Sequence, residues 1–238
     1  LAGGFDTRDH PYPGNVALIS QSGAGMSGIV DCEQRIQFNF AVSSGYELTV
    51  AMEDYLDYAL DLPETRVVGL FLETSRYPEK LIKAFKKANQ RNIPIVVLKV
   101  GRTDLAAELA ISHSGALAGS DQCYSALFDQ YGVQRVADMD QLATTLIMFA
   151  QPKTVSEGGL VCLHDSGGER QLLIDLADSA GVPLAQFSDS TVTRLEGLLD
   201  PGLPAVNPLD AWGAGGPHAP ATIAAAFTGI LNDQSAAL

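Results

Sequence analysis

A gap-free internal repeat is the feature of this sequence that most restricts its fold. Residues Gly14–Gly23 align with residues Gly158–Gly167, 144 positions later. Each copy has a short, unbroken apolar run, then Ser-Gly, and then a stretch whose composition is compatible with a helix. Unbroken apolar runs are typical of strands that are buried on both faces of a parallel sheet. The repeat therefore predicts two related units that each begin with a strand, a turn and a helix.

Further strand-like runs follow the first copy. They are Phe40–Val42, Val67–Leu72, Ile95–Val100 and Val133–Val136. The segments between them are amphipathic, and one places Leu81 and Phe85 opposite a row of lysines. Strands that alternate with such helices indicate an α/β fold of two flavodoxin-like, doubly wound parallel-sheet domains.

We expect the first domain to span residues 14–151 and the second to span residues 158–238. The second unit continues through a helix at about Glu169–Ser179, then a proline-rich stretch, and then a helix at Ala219–Leu231. A parallel sheet with so few strands is incomplete. The sequence therefore predicts that the second domain is truncated, or that the chain is one piece of a larger protein.

Charge and composition exclude several classes of protein. The net charge is -13 and only three basic residues follow position 150, so we expect no nucleic-acid partner. Nowhere do about 18 apolar residues run together, so we expect no membrane span. The first residue is Leu1 and no secretory signal is visible. Three distant cysteines (Cys32, Cys123 and Cys162) indicate neither a disulfide framework nor a metal site. We expect a cytoplasmic protein without a metal centre.

The two Ser-Gly turns are candidate anion sites. Ser22-Gly23 and Ser166-Gly167-Gly168 lie where helices begin at the carboxyl ends of strands. Backbone N–H groups and the helix dipole favour an anion there. Serine-capped tight turns explain the same residues without a ligand, and both explanations stay open. Neither turn matches a nucleophile elbow, a Walker A loop or a convincing dinucleotide fingerprint.

His113 is the candidate chemical residue. It follows the Ile95–Val100 strand within Ser112–Gly119, a loop of small residues on the side of the sheet where the strands end. An exposed imidazole there can act as base, ligand or phosphoryl acceptor. A loop histidine without a function is the competing explanation.

Five parts of the sequence carry a resemblance to a known family: Val16–Gly23, Glu73, Lys99–Thr103, Ser112–Gly119 and Asn207–Asp210. They resemble the NDP-forming acyl-CoA synthetases, which include succinyl-CoA synthetase and the ADP-forming acetyl-CoA synthetases. The resemblance covers about residues 12–230 and is strongest over Lys99–Gly119.

The resemblance implies a role for each matching residue. His113 would be phosphorylated, with Glu73 as the partner of its imidazole, and Ser112, Ser114 and Gly115 would support the loop. Ser114 stands where threonine is usual in the family. The phosphohistidine would rest between the helices that follow Ser22-Gly23 and Ser166-Gly167-Gly168, which would bind phosphate.

The resemblance also implies the reaction: a carboxylic acid, CoA and a nucleoside triphosphate give acyl-CoA, a nucleoside diphosphate and phosphate, through an acyl phosphate. The complete enzyme would use CoA and ATP/ADP with Mg²⁺, while this fragment alone would bind only phosphate. A CoA-binding domain and an ATP-grasp domain are not visible here, so we expect them as fused domains or subunits of a homo- or hetero-oligomer. Residues 1–13 are similar to the linker that leaves the CoA-binding domain.

Two other functions remain open at this stage. One is a non-catalytic regulatory or scaffold region of a protein acetyltransferase, and the other is an anion- or nucleotide-binding module. For Asn207–Asp210 we favour a structural turn. For the lysine-rich segment Arg76–Arg91 we favour a solvated helix face.

Overall fold

The structure is a computed structural model that describes residues 14–103, 105–106, 120–152, 155, 157–213, 215 and 217–237. The chain divides into two compact units, Leu1–Pro152 and Lys153–Leu238. We describe each unit by itself.

The first unit contains a five-stranded parallel sheet. Its strands are β1 (Val16–Ser20), β2 (Phe38–Ser43), β3 (Val67–Leu72), β4 (Ile95–Lys99) and β5 (Gln134–Val136), in the order β2-β1-β3-β4-β5. In the central pair, Val16 lies opposite Val67 and Ser20 lies opposite Phe71. All five predicted strands are confirmed, β3 with its predicted bounds.

Five described helices accompany this sheet. They are α1 (Gly23–Val30), α2 (Met52–Ala59), α3 (Pro78–Gln90), α4 (Asp121–Tyr131) and α5 (Met139–Phe149). One apolar cluster joins Ile19 to Leu56 and Phe85, and a second joins Leu18 to Ile29 and Leu146. Neighbouring residues of β1 thus enter different clusters, one on each face of the sheet. This explains the unbroken apolar run of β1 and confirms the doubly wound α/β fold.

The lysine-rich helix α3 differs in part from the expected solvated face. Three of its cations form ion pairs with α2 and its C-terminal turn: Lys80 with Asp54, Lys87 with Asp57 and Asp61, and Arg91 with Asp61. Lys83 and Lys86 are exposed. The acidic residues lie three and four positions apart, so they share one face of α2 and meet the cations as the two helices pack.

The second unit is smaller and has less regular strand structure. It contains β6 (Leu163–His164), α6 (Gly167–Ala180), α7 (Asp189–Glu196), β7 (Leu209–Asp210) and α8 (Ala219–Leu231), and β6 pairs with β7 in parallel. The predicted helices α6 and α8 are confirmed. Helix α7 was not predicted, although Ser188 caps its N-terminus through Thr191 N.

Asn207 ties together the backbone segments next to strand β6. Its side chain accepts from Cys162 N at 3.0 Å and donates to Leu160 O at 2.7 Å and Ala185 O at 2.9 Å. Leu160 forms an isolated parallel bridge to Leu184, and Leu160 O also accepts from Ala185 N at 3.1 Å. Asn207 has a structural role here, and the residues after Pro208 form β7.

Candidate functional site

The carboxyl ends of β1 and β3 form the switch point of the first sheet. From β1 the chain crosses to β2 on one side, and from β2 it crosses back to β3 on the other. In open α/β sheets, ligands bind in the crevice at this point. Ser22 follows β1 and Glu73 follows β3, so the structure brings these two predicted residues to the carboxyl end of the sheet.

Ser22 caps helix α1. Its Oγ accepts a hydrogen bond from Gly25 N at 3.1 Å, while Ser22 N donates to Ser20 Oγ at 3.1 Å. The amides of Gly23 and Ala24 make no hydrogen bond with the residues that the structure describes. The first turn of α1 therefore presents two N–H donors and the positive end of the helix dipole at the switch point.

Close packing places α1 against β3. A Cβ atom added to Gly25 would lie 3.0 Å from Cδ2 of Phe71, closer than side chains ordinarily pack. Glycine at this position thus allows the start of α1 to approach the end of β3. As a result, the first turn of α1 with its exposed amides lies beside the residues after β3, at the carboxyl end of the sheet.

Glu73 combines a fixed backbone with a carboxylate that makes no hydrogen bond to the described residues. Its N–H donates to Gln21 Oε1 at 2.7 Å and its carbonyl accepts from Lys99 Nζ at 2.7 Å. The side chain is half-buried, and its carboxylate makes no hydrogen bond or ion pair with the described residues. Such a carboxylate is able to accept a proton donor from another molecule or another part of the chain.

Lys99 is a buried cation that faces backbone carbonyls. The residue is 2% exposed, and its ammonium group donates to the carbonyls of Glu73 and Val100 and lies 4.8 Å from the ring centroid of Tyr124. Burial lowers the pKa of the Lys99 amine from its ordinary value. The location of Lys99 indicates that it organises the ends of β3 and β4. Tyr124, which lies beside Lys99, also accepts a hydrogen bond from Ser75 N to its Oη at 2.8 Å.

The second copy of the repeat has the same cap. Ser166 Oγ accepts from Glu169 N at 3.5 Å, as Ser22 accepts from Gly25 three positions on. The amides of Gly167 and Gly168 make no hydrogen bond within the described part of the unit. A Cβ atom at either glycine would meet ordinary van der Waals distances, 3.6 Å and 3.8 Å. The second turn is therefore also an open helix start with a serine cap.

Four predicted site residues cannot be placed. His113, Ser112, Ser114 and Gly115 lie outside the described residues. Sequence reasoning missed Gln21, whose side chain holds the Glu73 backbone, and Glu47, which holds Gln21. The signal for Gln21 was present, because this residue lies inside the Ser-Gln-Ser-Gly turn.

A comparison with known families decides how this chain is classified. Residues 13–149 match the family described as the succinyl-CoA ligase-like flavodoxin domain. The chain belongs to this family. The resemblance to the NDP-forming acyl-CoA synthetases is thereby confirmed. Helix α1, strand β3 and Glu73 all lie within the matched family domain.

Curated relatives of this succinyl-CoA ligase-like chain are acyl-CoA ligases. The ADP-forming acetate–CoA ligase of Methanocaldococcus jannaschii is 32% identical over 87% of this chain and 30% of its own length. The alpha subunit of ADP-forming acetate–CoA ligase II from Pyrococcus furiosus is 32% identical over 83% of this chain and 43% of its own length. This chain thus spans less than half the length of these relatives.

Solved structures show the same fold. The dinucleotide-forming acetyl-coenzyme A synthetase 1 of Candidatus Korarchaeum cryptofilum, solved with phosphate and ADP, is 27% identical, with a TM-score of 0.73 over 83% of this chain and 43% of that protein. A Pyrococcus horikoshii protein is 26% identical, with a TM-score of 0.75 over 94% of this chain and 47% of that protein. Among the described residues, no helix is long and apolar enough to cross a membrane.

Proposed function

We propose that this chain is part of an acid–CoA ligase that couples acyl-CoA formation to nucleoside triphosphate cleavage. A carboxylic acid, CoA and NTP would give acyl-CoA, NDP and phosphate, through an acyl phosphate and a phosphohistidine at His113. One observation carries the mechanism: at the switch point of a succinyl-CoA ligase-like domain, the Glu73 backbone is held by side chains, while its carboxylate makes no hydrogen bond or ion pair with the described residues. The names of the relatives support the overall reaction.

Glu73 would prepare His113 for phosphoryl transfer. A carboxylate that accepts the N–H of one ring nitrogen fixes the imidazole tautomer and leaves the lone pair of the other nitrogen free. That lone pair attacks the phosphorus of the acyl phosphate. The N–P bond forms, the bond between phosphorus and the acyl oxygen breaks, and the carboxylate leaves with the electron pair. In the direction of acyl-CoA synthesis the same step runs in reverse.

Each capped helix start would offer a binding position for a phosphoryl group. Gly23 and Ala24 in one unit, and Gly167 and Gly168 in the other, offer amides without intramolecular partners among the described residues. Preorganised N–H donors at helix N-termini offset charge on phosphoryl oxygens. Each serine keeps its hydroxyl hydrogen as a further donor, because its oxygen is the acceptor in the cap.

CoA and the nucleotide would bind parts of the enzyme other than this chain. Among the described residues, no group of three or more His, Cys, Asp or Glu side chains is placed to hold a metal ion. We therefore derive no step of this chain through Mg²⁺. The subunit name of the Pyrococcus furiosus relative supports a partner chain, and we propose CoA-binding and ATP-grasp domains or subunits in a cytoplasmic homo- or hetero-oligomer.

The test of the proposed reaction is turnover by the complete enzyme. With its CoA-binding and ATP-grasp parts present, the His113→Ala protein should make no acyl-CoA from acid, CoA and NTP, because the phosphoryl group has no carrier. The His10→Ala protein, which changes a histidine outside the predicted loop, serves as the matched control and should keep wild-type turnover. Normal turnover by the His113→Ala protein would overturn the proposal.

A further inference from the structure

The residues after β3 obtain their backbone hydrogen bonds from side chains rather than from strands. Gln21 Oε1 accepts from Glu73 N at 2.7 Å and from Thr74 N at 3.0 Å, and Gln21 Nε2 donates to Thr74 O at 2.7 Å. One glutamine side chain therefore satisfies three backbone groups in two consecutive residues. Backbone–backbone pairing of β3 ends just before them, where Val100 N donates to Leu72 O at 3.0 Å.

Glu47 fixes the orientation of the Gln21 amide. Gln21 Nε2 also donates to Glu47 Oε1 at 2.9 Å, and a carboxylate only accepts hydrogen bonds, so the amide nitrogen must face it. The Glu47 side chain is 1% exposed and is held by Ser44 Oγ at 2.7 Å, Met52 N at 3.1 Å and Arg76 Nε at 3.2 Å. With the nitrogen there, the amide oxygen faces the N–H groups of Glu73 and Thr74.

Lys99, at the end of the neighbouring strand β4, also restrains the backbone of Glu73. Its Nζ donates to Glu73 O at 2.7 Å, so both backbone polar groups of Glu73 are bound to buried or half-buried side chains. The carboxylate of Glu73 is thus presented from a fixed peptide. It makes no hydrogen bond or ion pair with the described residues, although its charge interacts with that of Lys99.

We propose that Gln21 is a positioning residue. By holding Glu73 N and the Thr74 peptide, it fixes the position of the Glu73 carboxylate relative to the imidazole of His113. This inference rests on the proposed role of Glu73 in phosphorylation of His113. Gln21 does not contact the reacting atoms in this scheme. It acts by holding the Glu73 peptide, and Lys99 supports the same peptide through its carbonyl.

The experiment is single-turnover phosphorylation of His113 in the complete enzyme, with acyl-CoA and labelled phosphate. The Gln21→Met protein keeps the side-chain length and loses every hydrogen bond of the amide. We expect its phosphorylation rate to fall about 10- to 100-fold, because misplacing a catalytic group by about 1 Å has effects of this size. The matched control is Gln141→Met, which removes a glutamine-to-backbone hydrogen bond to Ala137 N of 2.9 Å at another turn of the same sheet. The control should phosphorylate at the wild-type rate.

A double-mutant cycle separates positioning from a general structural effect. If Gln21 acts through Glu73, adding Gln21→Met to the Glu73→Gln protein should lower the rate less than about 2-fold further, because coupled residues are non-additive. The inference would be overturned if Gln21→Met lowered the phosphorylation rate of the Glu73→Gln protein by the same factor as it lowers the wild-type rate. A Gln21→Met single variant that phosphorylates at the wild-type rate would also overturn it.

A second variant keeps the inference testable if Gln21→Met does not fold. Gln21→Asn retains the amide, but its side chain is one methylene too short to reach Glu73 N, Thr74 O and Glu47 Oε1 together. The Gln21→Asn protein should phosphorylate about tenfold or more slowly than wild type. A wild-type rate in this variant would overturn the inference. Absence of phosphohistidine in the wild-type enzyme would instead overturn the proposed function, so the two failures are distinguishable.

Discussion

At the scale of the residue, Glu73 is the side chain whose carboxylate carries the proposed mechanism. The Glu73→Gln substitution removes the charge without removing a hydrogen bond to any described residue. We therefore expect the free energy of unfolding to change by less than about 0.5 kcal/mol. The rate of His113 phosphorylation should fall about 100-fold or more, since an uncharged amide oxygen is a weaker acceptor for the imidazole N–H and the amide can instead turn its NH2 group toward the ring. Urea unfolding and single-turnover labelling measure the two effects, and an unchanged rate would remove Glu73 from the mechanism.

Asp233 gives a pH-dependent prediction at the same scale. Burial raises its pKa, but hydrogen bonds from Ser235, Thr191 and Ser188 outweigh burial and hold the pKa of this carboxyl well below its usual range. A lowered folded-state pKa contributes stability that is present above the unfolded pKa, about 4, and is lost as the pH falls further.

We expect Asp233→Asn to destabilise the second unit by about 1–3 kcal/mol at pH 7, because a charged acceptor of several hydrogen bonds is lost. The difference from wild type should shrink as the pH falls below about 4, because the Asp233 carboxylate takes up a proton there in the unfolded chain but not yet in the folded one. Urea unfolding of the chain at pH 7 and pH 3 measures it. An equal difference at both pH values would contradict this account of Asp233.

At the scale of the element, glycines in the first turns of α1 and α6 should respond oppositely to alanine. Alanine at Gly25 would press its Cβ against the Phe71 ring at 3.0 Å, whereas alanine at Gly168 would meet Ser166 Oγ at 3.8 Å. We expect Gly25→Ala to destabilise by about 1–3 kcal/mol through overpacking. Gly168→Ala should stabilise by up to about 1 kcal/mol, because alanine is the better helix former. Thermal or urea unfolding measures the change in the free energy of unfolding for each variant. Destabilisation by Gly168→Ala would contradict the open turn described here.

The elements also show where sequence reasoning succeeds and where it fails. Strand β3 has its predicted bounds because its residues are covered on both faces of the sheet. Residues buried in this way are apolar, so the strand is visible in the sequence as an unbroken apolar run. The equivalent run before Ser166 yields only the two-residue strand β6, and the backbone before it is bonded by the distant Asn207 side chain, which accepts from Cys162 N and donates to Leu160 O. Such a bond depends on tertiary structure and leaves no periodic signal.

At the scale of the whole molecule, the alternation of apolar runs with amphipathic segments predicted the α/β architecture, and the duplicated Ser-Gly turns indicated the carboxyl end of the sheet as the place of the candidate site. The restraint on Glu73 was not predictable in the same way. It depends on Glu47, a non-glycine residue with a positive φ of 53° whose side chain turns inward to Gln21, and on Lys99, a lysine buried beneath the site. Both features arise only when distant segments meet at the carboxyl ends of β1, β3 and β4.

Locating the covalent phosphate tests the central claim most directly. The complete enzyme is incubated with acyl-CoA and labelled inorganic phosphate, and the modified residue is identified by mass spectrometry. The account predicts one label on His113 that is labile in acid, stable in base and absent from the His113→Ala protein. An enzyme that turns over normally while carrying no label on His113, or carrying it on another residue, would contradict the account.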